Sequence, residues 1–121
     1  MDRFDFCAVK VLGRYLEKRG ITLKVGDRFV PEGAGGAFDS FERQMLLREN
    51  PTRYEVMHEL SHYIQYRNLG PSAYQALSRR AKEQFVFDML ERSPARWGKL
   101  IYAEQQEAID YILSLGGVVL R

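Results

Sequence analysis

Thr52-Arg53-Tyr54-Glu55-Val56-Met57-His58-Glu59-Leu60-Ser61-His62-Tyr63-Ile64-Gln65-Tyr66-Arg67-Asn68-Leu69-Gly70-Pro71 specifies a helix and, within it, a chemical pattern. Thr52 followed by Glu55 is a capping box: the hydroxyl takes one orphan N–H and the carboxylate reaches back to another. The helix is expected to start at Thr52, run through Arg67 or Asn68 and stop at Gly70, where Pro71 cannot continue it. His58-Glu59-Leu60-Ser61-His62 fits H-E-x-x-H. Histidines four apart lie on one helical face, one turn apart, close enough to grip one tetrahedral ion. Glu59 is offset by about 100° and can act on an attacking water without ligating the ion itself. Val56, Met57, Leu60, Tyr63 and Ile64 form an apolar stripe. Both histidines fall opposite its centre, which predicts one face in the core and the other flooring a cleft. They are the only two histidines in the chain, so the match is not a by-product of a His-rich sequence.

Two imidazoles leave a zinc site too open. No further His and no downstream Cys exists, so a carboxylate must complete the set. Glu83, on the next long helix, follows His62 by 21 residues, enough for a turn and an antiparallel return. It sits at the edge of the apolar side set by Phe85, Val86, Met89 and Leu90, with Phe87 on one flank. A carboxylate there can be partly buried if it meets a cation. The competitors are Asp88, Glu91, Glu104, Glu107 and Asp110. Asp88, five positions on, points away from Glu83, and Glu91 borders the break at Ser93-Pro94. The final helix is more remote, although its Asp110 could orient a histidine ring. The expected chemistry is zinc-assisted hydrolysis of a peptide bond, with metal on His58, His62 and Glu83 and with Glu59 as the base. Tyr66, Tyr102 and Tyr111 are candidates for stabilising the oxyanion, and none is assigned.

Glu55 to Tyr63 resembles the active-site helix of the zincin metallopeptidases, of the gluzincin type when joined to Glu83. More narrowly, Tyr54 to Gly117 resembles the zincin-like metallopeptidase toxin domains of bacterial polymorphic toxins. Leu69-Gly70, Ala76-Leu77-Ser78-Arg79, Lys82-Glu83-Gln84, Arg96-Trp97 and Ala108-Ile109-Asp110-Tyr111-Ile112 before Gly116-Gly117 carry that likeness. The resemblance implies an effector secreted within a larger toxin, acting in the cytoplasm of a rival cell and neutralised by a cognate immunity protein. Intracellular regulatory metallopeptidases that cleave repressors offer a rival resemblance. A third reading is a non-catalytic module whose metal only fixes helices for protein binding, and which should tolerate loss of Glu59.

Upstream, Phe6, Val9, Leu12 and Leu16 predict a helix over 5–19 that Gly20 stops. Phe4, Phe6, Cys7 and Val9 read as a half-buried run in which Cys7 is a packed thiol. Ile21 to Val25 alternates as a strand, with a short hairpin partner expected at Arg28 to Val30. Pro31 to Gly36 reads as a mobile connector. It lacks the Gly-Lys-Ser/Thr of a phosphate loop. Phe41 to Arg48 is the next strand, with an edge open to an extended substrate. Downstream, Pro71-Ser72 opens a helical stretch broken near Ser78 that reaches about Glu91, and Ser93-Pro94 ends it. A last helix is expected near Ala103 to Leu115, before Gly116-Gly117. The fold class is therefore α+β: a minimal zincin-like domain over residues 1–121, its small sheet packed on the H-E-x-x-H helix, with further helices C-terminal.

A net charge of +2 in 121 residues gives no reason to expect nucleic acid or an anionic membrane as partner. Arg79-Arg80 reads as a solvated helix face. One cysteine excludes an intrachain disulfide, and no apolar run is long enough to span a bilayer. The start has none of the layout of a secretory signal. The partner expected is a protein or peptide substrate.

Overall fold

The computed structural model describes residues 6–119. Two compact units divide the chain between Leu60 and Ser61, inside a single continuous helix, α2 (Arg53–Leu69).

In the N-terminal unit, α1 (Phe6–Glu17) buries Leu12 and Leu16. Gly20 takes the left-handed conformation (φ 80°) that ends the helix, and the chain turns into β1 (Thr22–Val25). Cys7 is exposed, as is Val11 at 62%, so the packed-thiol reading is corrected: these side chains lie off the Leu12–Leu16 stripe. Phe4 of the expected run and Asp5 of the expected helix lie outside the described residues. The sheet is completed by β2 (Gly36–Asp39) and β3 (Gln44–Leu47) in the order β1-β3-β2. β1 pairs with β3 in parallel and β2 pairs with β3 antiparallel. Met45 and Leu47 point into the core with no exposed surface, and Gln44 and Leu46 alternate with them at intermediate exposure.

Three sequence expectations change here. Arg28 to Val30 is no hairpin strand: Asp27–Phe29 is a 3-10 turn. The partner of β1 is the parallel β3, which requires a crossover rather than a tight turn. The expected strand over 41–48 shrinks to β3, leaving Phe41 76% exposed in the turn before it. β3 is central, paired on both sides, so it has no edge to offer a substrate. The outer strands are β1 and β2, and the first residue of β2 lies in the expected connector.

The capping box at α2 forms as expected: Glu55 N–H donates to Thr52 Oγ1 (3.1 Å) and Thr52 N–H to Glu55 Oε1 (2.9 Å). Arg48 clamps the same carboxylate at 2.7 Å. Gly70, with φ 87°, closes the helix.

The C-terminal unit continues with α3 (Pro71–Gln75), α4 (Arg79–Glu91), α5 (Pro94–Trp97) and α6 (Tyr102–Ser114). Ser78 caps α4 by accepting from Ala81 N–H, which explains the break expected there. α4 packs on α5 and α6. Its buried face is Val86, Phe87 and Leu90, so Phe87 is a core residue rather than a flanking one. Beyond α6, Gln84 grips the backbone of Val118, donating to its carbonyl (2.8 Å) and accepting its N–H (2.7 Å). A Cβ on Gly117 would lie 2.6 Å from both Gln84 and Ile112, so only glycine lets the chain run this close to α4. Among the described residues, no helix is long and apolar enough to cross a membrane. The fold is α+β, a three-stranded sheet with several helices.

Candidate metal centre

α2 is buried more completely than its apolar stripe alone predicts. Tyr54, Val56 and Tyr63 are buried, and so are Glu59, Ser61, His62 and Gln65. The expectation of one packed face and one open face is therefore corrected. Glu59 is 6% exposed and His62 is 5% exposed. Sequence hydropathy gives no sign of this, because the residues that turn a helix into a site are polar and still removed from water.

His58 and His62 are one turn apart on this unbroken helix, so the helix itself sets their spacing. The Tyr54 ring stands edge-on to the His58 ring, with centroids 5.7 Å apart. His62 Nε2 lies 3.0 Å from Glu83 Oε1. One ligand atom each from His58, His62 and Glu83 fall within 4.8 Å of one another, the only such group among the described residues. A tetrahedral zinc with ordinary bond lengths sets its ligand atoms about 3.4 Å apart. The present spacing is within a small side-chain adjustment of that. Two imidazole nitrogens and a carboxylate oxygen also make the mixed N/O donor set that suits zinc. The residues therefore fit such an ion.

The other candidate carboxylates, Glu91 apart, are engaged elsewhere or exposed; Glu91 lies about two turns beyond Glu83 on α4. Asp88 accepts from Gln84 (2.9 Å). Glu104, fully buried, turns back to the N–H of Ile101 (3.2 Å) and caps its own helix. Glu107 and Asp110 are exposed, and Asp110 accepts from Gln106 (3.0 Å). The group beside His62 is instead Tyr74, whose hydroxyl lies 3.5 Å from Nδ1. Tyr74 is buried, packs edge-on to Tyr66 (5.7 Å) and has the Lys82 ammonium over its ring (4.5 Å). Of the three tyrosines considered for the oxyanion, Tyr66 serves this packing and Tyr102 is 79% exposed. Tyr111 accepts from Arg79 (3.1 Å). That hydrogen bond holds the Arg79 guanidinium above its ordinary value, and the charge of Glu83 adds to the effect.

Glu59 meets β2. A Cβ on Gly36 would lie 3.0 Å from Glu59 Cγ and 3.0 Å from the Leu46 carbonyl, so the strand passes directly over this side chain. Gly35 comes as close to Glu55. The paired glycines that read as a connector are what permit that approach.

A family model described as metallopeptidase toxin 4 matches residues 5–115. The chain belongs to this family. The match covers both halves of α2 and everything from α4 to the end of α6, so the gathered histidines and Glu83 lie inside it. Neither a curated protein nor a solved structure matches the chain. Membership of the metallopeptidase toxin 4 family implies a metal ion and a protein substrate.

Proposed function

We propose that the chain is a zinc-dependent peptidase that hydrolyses peptide bonds, acting as one domain and as the effector of a bacterial polymorphic toxin. The observation that carries this reading is the gathering of His58 and His62, on the helix that also bears Glu59, with Glu83 of α4, whose carboxylate lies 3.0 Å from His62. His58, His62 and Glu83 would hold the ion. Zinc, when bound, supplies a Lewis acid that polarises the scissile carbonyl and makes water acidic enough to attack. Glu59 removes the proton from that water and returns it to the leaving nitrogen. Its burial beneath Gly36 limits its motion, which favours a carboxylate already aligned for the transfer. β2, paired only through β3, leaves its outer backbone edge beside Glu59, where an extended peptide can add as a further strand.

The toxin reading rests on the family description and extends it. The effector is carried within a larger secreted protein, acts in the cytoplasm of a rival bacterium and is blocked in the producer by an immunity protein. Purified protein should carry about one zinc per chain and cleave a protein substrate in a chelator-sensitive manner. Glu59→Gln should keep the zinc and lose hydrolysis by about a thousandfold. Expression in a bacterial cytoplasm should arrest growth with the wild type and not with this variant. Near-normal hydrolysis by Glu59→Gln would sink the mechanism and favour a metal that only fixes the helices.

A further inference from the structure

Within the C-terminal unit, a groove of about 300 Å³ opens where α4, α5 and α6 meet. Phe87 and Trp97 form its aromatic wall, edge to face with centroids 5.9 Å apart, and Tyr102 adds a third ring that is 79% exposed. The polar lining is Glu91, Gln105 and Gln106, and among the described residues no lysine or arginine lines the groove. Both glutamines already use their donor ends: Gln105 Nε2 bonds the Trp97 carbonyl at 2.9 Å, and Gln106 Nε2 bonds Asp110 at 3.0 Å. Gln105 also reaches the Leu100 carbonyl at 3.4 Å, so what the pair has left is both carbonyl oxygens and one N–H of Gln106. Glu91 has no ion-pair or side-chain hydrogen-bond partner among the described residues, so its carboxylate is available to a ligand.

Three aromatic rings, one carboxylate and two amide oxygens make a lining that accepts hydrogen bonds and attracts positive charge. The complement is an organic cation rich in donors. A guanidinium fits better than an ammonium, because its flat face stacks on aromatic rings while its edge presents a fork of N–H groups to a carboxylate. We propose that this groove binds an arginine side chain of a polypeptide partner. Glu91 takes the fork, the aromatic wall takes the face and the glutamine oxygens take the remaining donors. The proposal does not depend on zinc or on hydrolysis. The groove nevertheless shares α4 with Glu83: Glu83, Phe87 and Glu91 recur every four residues, so an arginine held there lies about 6–12 Å along the helix from Glu83.

Trp97 is the only tryptophan in the chain, so its fluorescence reports directly on the groove. The test titrates the intact protein with a glycine-serine peptide carrying one central arginine, and with the same peptide carrying citrulline, the neutral isostere. The arginine peptide should change Trp97 emission saturably, with the citrulline peptide at least about tenfold weaker. Glu91→Gln should weaken arginine binding by about the same factor with an unchanged circular dichroism spectrum, while Glu17→Gln, an exposed change outside the groove, should leave it as it is. Absence of a saturable response, equal binding of the citrulline peptide, or equal losses in Glu91→Gln and Glu17→Gln would each overturn the assignment.

Discussion

At the scale of single residues, His62 shows most clearly how the site is built. Its Nε2 faces Glu83, so Nδ1 is the nitrogen left to carry a proton if Nε2 is to bind a cation. Tyr74 Oη stands 3.5 Å from that nitrogen and can accept its hydrogen, fixing both tautomer and ring orientation. Tyr74→Phe keeps the ring and its packing on Tyr66 but removes the acceptor. Zinc affinity, measured by competition with a chelating dye, should fall about tenfold with little change in melting temperature. Unchanged affinity would mean that Tyr74 only packs. The contrast with Glu83 shows what a sequence can reveal. The position of Glu83 beside His62 is legible, because the search for a third ligand and helical geometry together sort the carboxylates. Tyr74 is not, because Gly70-Pro71 turns α3 back by an angle that no local pattern encodes.

Among the elements, those with local causes were legible and those with distant causes were not. Thr52 and Glu55 define the start of α2, and Gly70 its end, within a few residues of chain. Ser78, Ser93-Pro94 and Gly116 mark the later helices in the same way. β2 has no such mark. Gly36-Ala37-Phe38-Asp39 contains no β-branched residue and becomes a strand only because β3 pairs with it. Its glycine is nonetheless the element's contribution to the site. In Gly36→Ala the new methyl would press on Glu59 Cγ, displacing the buried side chain, and on the Leu46 carbonyl, which is fixed in the sheet. The variant should lose about 1–3 kcal/mol of stability in urea unfolding. Its hydrolytic rate should fall more than its zinc content, because the displaced group is Glu59 and not a proposed ligand. A variant with wild-type stability and rate would show that the strand has room to move off the helix.

For the whole molecule, the proposed ion is a question of linkage between binding and folding. Without a cation, His62 and Glu83 hold an imidazole and a carboxylate largely out of water, at 7% and 12% side-chain exposure, 3.0 Å from each other. Removing a carboxylate from solvent is costly unless charge compensates it, so this arrangement gains most from a bound cation. The unfolded chain holds His62 and Glu83 far apart and has no comparable site. Zinc bound as proposed would stabilise the folded state by an amount that grows with the ratio of free zinc to its dissociation constant, about 2.7 kcal/mol at a hundredfold ratio. For a chain of this length that is a rise of roughly 10 °C in melting temperature. The melting temperature should climb with added zinc, fall back on chelation and respond far less to magnesium, which prefers oxygen ligands. Glu83→Ala removes both the buried carboxylate and the third ligand. Its metal-free form should melt close to the wild type, and its response to zinc should be largely lost. An equal zinc shift in Glu83→Ala would place the ion elsewhere, and no shift in the wild type would remove the metal from the account of this fold.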